Sequence, residues 1–188
     1  MRRISRSSEM TIAIRPATGG DVAAIDALLR RSFPAADEAL LVQRLCIDGD
    51  MVLTLVADDE ESGELAGMVA FSRMTVEAGG RTIPGVALAP VAVGPSYRRQ
   101  GVAEALIQAG LNHLGDAGAA VCFVLGDPSY YGRFGFSAEH AEGFQSPYAG
   151  EYFMAKPLRA QTLGCASRGK AEHAAAFAML GQDMEAQV

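Results

Sequence analysis

The stretch "VAVGPSYRRQGVAEAL", residues 91–106, leaves an apolar segment, sets Arg98 beside Arg99, and enters a helical pattern through Gly101 and Ala103. Those residue types at that spacing suit the binding of an anion. A helix leaves its first four backbone N–H groups without internal partners, and its aligned peptide dipoles make that end electropositive. Gly101 removes a side chain where a phosphate approaches the backbone closely, and Ala103 keeps the next turn uncrowded. Arg98 or Arg99 adds charge-assisted hydrogen bonds. An ordinary solvated turn reads the same way from these residues alone.

Pro90 sharpens the reading. A proline inside an apolar strand donates nothing to a ladder and marks an edge or a bulge. A bulge there parts this strand from the one beginning near Ala119 and frees the main-chain groups of Val91, Ala92 and Val93. Such groups pair with an extended, amide-containing ligand as though it were a strand.

The elements that must hold this turn follow from periodicity. Residues 11–18 alternate and are β-branched, a strand that Pro16 ends. Asp21 is placed to cap a helix carrying Val22, Ile25, Leu28 and Leu29 at helical spacing, which Pro34 stops. "DEALLVQRLCIDGD" reads as a second helix, with Leu40, Leu41 and Leu45 on one stripe and Gly49 past its end. Cys46 beside that stripe reads as a buried structural thiol. Residues 51–58, 64–77 and 85–93 are strands joined by short turns, which implies antiparallel pairing. Residues 101–114 form a helix with Val102, Ala105, Leu106, Ala109 and Leu114 near one face. The unbroken apolar run at 119–126 implies burial on both faces, as in a parallel pair joined by a right-handed helical crossover. "PSYYGRFGF" is a short helix or turn, and residues 151–158 read as a last strand. "KAEHAAAFAML" fits either an alanine-rich helix or an extended segment followed by a turn.

The totals bound the class. A chain of 188 residues that is 49% apolar is one soluble globular domain able to bury roughly 70% of its unfolded surface, with no tract that spans a bilayer. Sixteen basic against twenty-two acidic side chains give a net charge of −6, which argues against broad nucleic-acid binding but not against a local anion site. Cys46, Cys122 and Cys165 have no C-x-x-C spacing, so reduced thiols in a cytoplasm are expected, without a disulfide framework or a metal site. The basic start, residues 1–10, lacks the apolar region of a secretory signal and reads as a disordered extension. The folded domain is expected over 11–158, with residues 159–188 as its C-terminal extension.

Together these residues resemble motif A of the Gcn5-related N-acetyltransferases, Q/R-x-x-G-x-G/A, with Arg98, Gly101 and Ala103 in its three fixed places. "YYGRFGF" resembles the family's next landmark, a tyrosine followed by x-R-F-G-F, with Tyr131 in the tyrosine's place. "LGDPSYYGRFGF" as a whole is similar to a bacterial branch of predicted acetyltransferases. The resemblance implies an α/β, mixed and mostly antiparallel sheet splayed between its fourth and fifth strands and flanked by helices. It implies acetyl-CoA as co-substrate, its pantetheine amides against Val91 and Val93 beside Ala92. The pyrophosphate then rests on Arg99, Gln100, Gly101, Val102 and Ala103, with Arg98 adjacent. It further implies that a backbone N–H near Val93 polarises the thioester carbonyl and that Tyr131 protonates the departing sulfur. The acceptor is a small-molecule or protein amine. No metal, nucleic acid or membrane is implied, and a homodimer stays open.

The chemistry also needs a base, because a lysine-like amine has a pKa of about 10.4. Some relatives carry a glutamate on the strand that holds Val91 to Val93; here that strand reads "GVALAPVAV" and has none. Glu77 and Asp127 read as hairpin and turn residues, and His113, His140 and His173 have no motif around them. Cys122, inside an apolar run, is expected to be inert, which argues against an acyl-cysteine intermediate. Phe134 and Phe136 read as core, Tyr130 as a weaker candidate than its neighbour, and Arg133 as either a local partner or a cofactor contact. A nucleotide phosphohydrolase is excluded, since no G-x-x-x-x-G-K-[ST] is present. The missing carboxylate keeps one rival open, an acyl-CoA-binding sensor without turnover.

Overall fold

The computed structural model describes residues 11–159 and 168–181. Residues 1–10 and Cys165, for which an extension and a free thiol were expected, lie outside the described residues. Six strands lie side by side in the order β1 (Ile12–Pro16), β2 (Met51–Asp59), β3 (Leu65–Ala78), β4 (Arg81–Val93), β5 (Val121–Leu125) and β7 (Phe153–Pro157). Two more complete the sheet, β6 (Phe144–Gln145) and β8 (Gly169–His173). All neighbours run antiparallel except β4 with β5 and the short β6 with β8.

α3 (Val102–Asp116) covers one face of the sheet, and α1 (Val22–Ser32) and α2 (Asp37–Asp48) cover the other. β5 shows why its sequence is continuously apolar. Cys122 and Val124 enter the core beneath α3, while Val121 and Phe123 enter the core on the opposite face. α3 buries Leu106, Ile107, Leu111 and Leu114, each contributing roughly 1.5–3 kcal/mol by leaving water. That burial, more than helix propensity, seats α3 over the junction of β4 and β5.

Several expectations shift in phase. Asp21 lies beside α1, but its carboxylate accepts from Arg15 at 2.8 and 2.9 Å and from the Thr18 N–H at 2.7 Å instead of capping the helix. Val22 and Leu40 face solvent; on α2 Leu41 and Leu45 are buried as expected, and Ala39 and Val42 join them in place of Leu40. Cys46 is exposed, one step off the buried stripe. Ala105 is exposed as well, with Ile107 and Leu111 on the buried face of α3 in its stead. β4 begins at Arg81, because its first residues pair across the hairpin with β3 as far as Ala78.

Residues 153–157 are not the last strand. β3 is 14 residues long and outruns β2, and β8 takes up the free edge from Met74 to Ala78. The C-terminal segment is therefore extended over 169–173 and then turns through a 3₁₀ segment, Ala175–Gly181. At its corner the His173 ring lies 4.9 Å from Tyr148 and 4.8 Å from Phe177, and its Nδ1 is buried without a hydrogen-bond partner. Burial pulls its pKa down to about 4.

The folded protein therefore holds His173 neutral through a range in which the unfolded chain takes up a proton. Its contribution to stability is full above pH 6.5 and is lost as the pH falls toward 4. Between pH 7 and pH 5 the loss is about 2 kcal/mol at 1.36 kcal/mol per unit. Urea unfolding at the two pH values checks this against His173→Phe, which keeps a ring in the nest and removes the titration. The wild type is expected to lose about 2 kcal/mol more than the variant; equal losses would refute the burial argument.

Candidate active site

The site begins with a register break. Val69 pairs with Val91, but Phe71 pairs with Leu88, so β4 carries one extra residue at Ala89–Pro90. On its other side β4 pairs with β5 through Gly85, Val86 and Ala87, opposite Val121, Cys122 and Phe123, and the ladder stops there. Beyond Ala87 the two strands part, as the Pro90 argument anticipated. β4 stays attached to β3, with the Gly94 N–H donating to the Ala66 carbonyl at 2.9 Å. Antiparallel rungs alternate in which side they bond. Gly94 and Ala92 therefore spend their backbone groups on β3, and those of Val91 and Val93 turn into the gap. Ala92 is the correction here: its main chain is committed to β3, and its side chain is buried against α1.

The loop after β4 forms the mouth of the gap. Pro95–Tyr97 is a 3₁₀ turn, Arg98 is extended, and Arg99 and Gly101 are left-handed, with φ of 60° and 82°. Gly101 answers a backbone demand, and a Cβ there would meet nothing within 4 Å. Its open side is the approach to the helix. The first helical bond runs from Ala105 N–H to the Gly101 carbonyl at 3.0 Å, and among the described residues no side-chain bond to the amides of Val102, Ala103 and Glu104 is found. Successive N–H groups beside left-handed residues make an anion-binding concavity.

The side chains of this loop divide. Arg99 is exposed, and no ion pair to it is found among the described residues. Arg98 instead donates from Nε to the Val93 carbonyl at 3.3 Å, and the Gln100 amide turns back to the Ser96 carbonyl at 2.7 Å. Both arginines are exposed and keep their charge at the mouth; Arg98 is tethered at Nε to a neutral carbonyl, and no such tether of Arg99 is found among the described residues.

Tyr131 stands at the root of the gap. It ends α4 (Pro128–Tyr131), a single turn whose N-cap Asp127 accepts from the Ser129 N–H at 2.8 Å. Its ring fills the notch left by Gly126, where a Cβ would collide with it, and meets Tyr130 edge-on at 5.0 Å and Phe136 at 6.0 Å. No hydrogen bond to the hydroxyl is found among the described residues. Burial first, then the neighbouring Tyr130 and Cys122, push its pKa up to about 12. Its neighbour Cys122 fixes its level in the sheet, because Cys122 pairs with Val86 one rung before the β4–β5 ladder ends. Phe134 and Phe136 are buried core, as expected.

Arg133 resolves as a local partner. Its guanidinium lies 4.4 Å over the Tyr130 ring and pairs with Glu104 of α3 at 3.1 Å. This brace between the two landmark segments has no sequence signal, since its ends are 29 residues apart.

No base emerges beside the gap. Glu77 is exposed at the hairpin end of β3 opposite Thr82, and the Asp127 carboxylate is held below its ordinary range by its cap bonds to Ser129. His113 and His140 are exposed, and His173 lies on the α2 side of the sheet. Among the described residues no group of three His, Cys, Asp or Glu comes together, and no helix is long and apolar enough to cross a membrane. Two surface hollows lie elsewhere. One, of about 620 Å³, runs along the C-terminal half of α3, and another, of about 560 Å³, flanks α5 (Ala138–Ala141). Neither is lined by Val91, Arg99, Gly101 or Tyr131; the gap is a groove between strands instead of an enclosed chamber.

A sheet parted after a bulge, an uncapped helix N-terminus at its mouth and a tyrosine at its root define an acyl-CoA N-acyltransferase architecture. The chain belongs to the GNAT family: residues 13–138 match the family's acetyltransferase (GNAT) domain. It is 48% identical over 116 residues to the uncharacterized N-acetyltransferase YhbS of Escherichia coli, covering 62% of this chain and 68% of the relative. The crystal structure of E. coli YhbS in complex with CoA superposes with a TM-score of 0.82 at 37% identity, over 93% of this chain and 96% of that one. A GNAT family acetyltransferase from Brucella melitensis in complex with acetyl-CoA gives 0.69 at 29% identity, over 90% and 99% of the two chains.

Cys122 has no exposed surface, and burial pushes its thiol far above the ordinary range. Iodoacetamide at pH 8 should therefore alkylate Cys46 in the folded protein and leave Cys122 untouched, as read by peptide mass mapping. A labelled Cys122 would reopen a covalent route.

Proposed function

We propose that the protein is an acetyl-CoA-dependent N-acetyltransferase acting on a primary amine by direct attack in a ternary complex. The observation that carries this is the β4–β5 ladder ending at Ala87 while β4 remains paired to β3. Val91 and the Val93 N–H then offer an extended ligand a strand to pair with, the Val93 carbonyl accepting from Arg98. Residues 99–103 supply amides for its pyrophosphate, with Arg98 and Arg99 as the available counter-charges. Relatives with CoA or acetyl-CoA bound support this assignment of the groove. A reduced cytoplasm is the compartment the reading implies.

The pantetheine runs from the mouth toward the root. Its thioester then lies near Tyr131, and the Val91 N–H is the nearer donor to the carbonyl oxygen than that of Val93. The amine lone pair attacks the carbonyl carbon, the C–S bond breaks, and its electrons leave on sulfur. Tyr131, with a pKa near 12, stays protonated and donates a hydrogen bond to that sulfur. Complete proton transfer from such a phenol to a thiolate of ordinary pKa, about 8.5, is uphill by about 5 kcal/mol. The hydroxyl therefore steadies the developing charge, and solvent completes the protonation. The amine's proton goes to water, since β4 offers no carboxylate. Holding both reactants in one groove supplies up to roughly 7–11 kcal/mol without a covalent intermediate.

The absence of a base favours one alternative, a sensor that binds acyl-CoA without turnover. Release of free CoA thiol from acetyl-CoA across a panel of small amines, polyamines and lysine peptides separates the two. Binding with no amine-dependent release across the panel would support the sensor. In that assay Tyr131→Phe should lower turnover about 10–100-fold while leaving CoA affinity within about twofold; unchanged turnover removes Tyr131 from the reaction. Gly101→Glu places a carboxylate and a strained φ in the cradle. It should abolish CoA binding by calorimetry with near-native circular dichroism, and retained affinity would displace the pyrophosphate from residues 99–103.

A further inference from the structure

Tyr97 belongs to the turn between β4 and Arg98. Its neighbours Ser96 and Arg98 are exposed, yet Tyr97 is only 8% exposed, and its ring joins the core beneath α3. Its hydroxyl donates to Asp59 Oδ2 at 3.0 Å and lies 3.3 Å from Ser62 Oγ and 3.4 Å from Glu64 Oε2. Those partners come from the β2–β3 hairpin, 33 to 38 positions earlier in the chain. Asp59 is itself buried, and it also accepts from Ser62 Oγ at 2.7 Å and from the Glu61 N–H at 3.1 Å. A buried carboxylate with several donors is a costly arrangement to assemble, and it holds firmly once its donors are in place.

What this joint holds is the segment that needs holding. Arg99 sits in the left-handed region without being glycine, a conformation that persists only where its surroundings over-determine it. The other bonds around it are local. Tyr97 N–H reaches Gly94, Gln100 reaches Ser96, and Arg98 reaches Val93. Bonds of that kind move with the loop. Gly94 N–H to Ala66 ties down the loop's beginning, and the helical ladder of α3 ties down its end. Tyr97 is the side chain that fastens the middle to a separate hairpin.

We propose that Tyr97, held by Asp59, is the positioning residue that keeps residues 98–103 in their anion-receiving shape. The β2–β3 hairpin thereby sets the affinity for the diphosphate part of an acyl-CoA. The proposal rests on the acyl-CoA reading given above.

The test compares CoA with pantetheine, which lacks the diphosphate together with the 3′-phosphoadenosine it carries. Tyr97→Phe keeps the ring in the core and leaves Asp59 its bonds from Ser62 and Glu61. CoA affinity is read by calorimetry and pantetheine affinity by amide NMR titration, which reaches millimolar constants. The CoA Kd should rise about tenfold, the loss expected for one hydrogen bond to a charged acceptor, while the pantetheine Kd moves less than about twofold. Asp59→Asn, which keeps the shape and weakens the acceptor, should shift CoA in the same direction by a smaller factor.

An unchanged CoA Kd overturns the proposal. So does an equal loss for both ligands, which is what general loosening would produce. If Tyr97→Phe does not fold, Asp59→Asn with the same two ligands decides. Wild-type protein that fails to bind CoA sinks the acyl-CoA reading, and this proposal with it. Wild-type binding with an unaffected Tyr97→Phe sinks this proposal alone.

Discussion

β4 must satisfy two neighbours that ask for different things. Along β3 it continues past the bulge at Ala89–Pro90, and along β5 it stops after three rungs. A gap between strands in the middle of a sheet would ordinarily close, because an unbonded buried backbone group costs about 1–3 kcal/mol. It stays open because each parted strand is clamped on its far side. β3 holds β4 through Ala92 and Gly94, and β7 pairs with all five residues of β5, from Val121 to Leu125. The cores above and below add to this, Leu88 and Val124 packing under α3 and Ala92 against α1. The groove is thus a consequence of how the rest of the sheet is nailed down.

The electrostatics are local in the same way. The chain as a whole carries −6, and the first turn of α3 includes an acidic residue, Glu104, where an anion would meet it. Arg133 draws that carboxylate sideways, at 3.1 Å, and so ties the α4 segment to the helix entrance. Both partners are about half exposed, so the pair contributes little stability, about 0–1 kcal/mol. Its effect is on where the charge sits. With Glu104 engaged and Arg98 and Arg99 exposed, the uncapped amides of α3 face solvent with a net positive character that the overall composition does not reveal.

Local chemistry was legible where a residue type leaves few explanations. Pro90 inside an apolar run marked an edge or a bulge, and a bulge is present. An arginine pair followed by glycine at a helix entrance fitted exposed amides as well as a solvated turn, and Gly101 is left-handed there. The misreadings share a different cause. On α2, "EALLVQRLC" lets the apolar stripe run through Leu40 or through Ala39 and Val42 with nearly equal periodicity, and only the neighbouring α1 and sheet choose. Cys46 followed the stripe in that choice and ended exposed. The segment at 169–173 became a strand because β3 outruns β2, a fact about lengths elsewhere in the chain.

The amino-acid sequence by itself determined the order of the main elements from β1 to β5, the interruption at Pro90, the parallel crossover and the tyrosine that follows β5, because each is written in nearby backbone constraint and side-chain pattern. Only the tertiary structure decided which main-chain groups face the groove, that Ala92 does not, that Arg98 reaches back to the Val93 carbonyl, and that Tyr97 meets Asp59. These outcomes depend on which surfaces come together across tens of residues. Pairing register and burial between distant segments set them, and no local spacing encodes either.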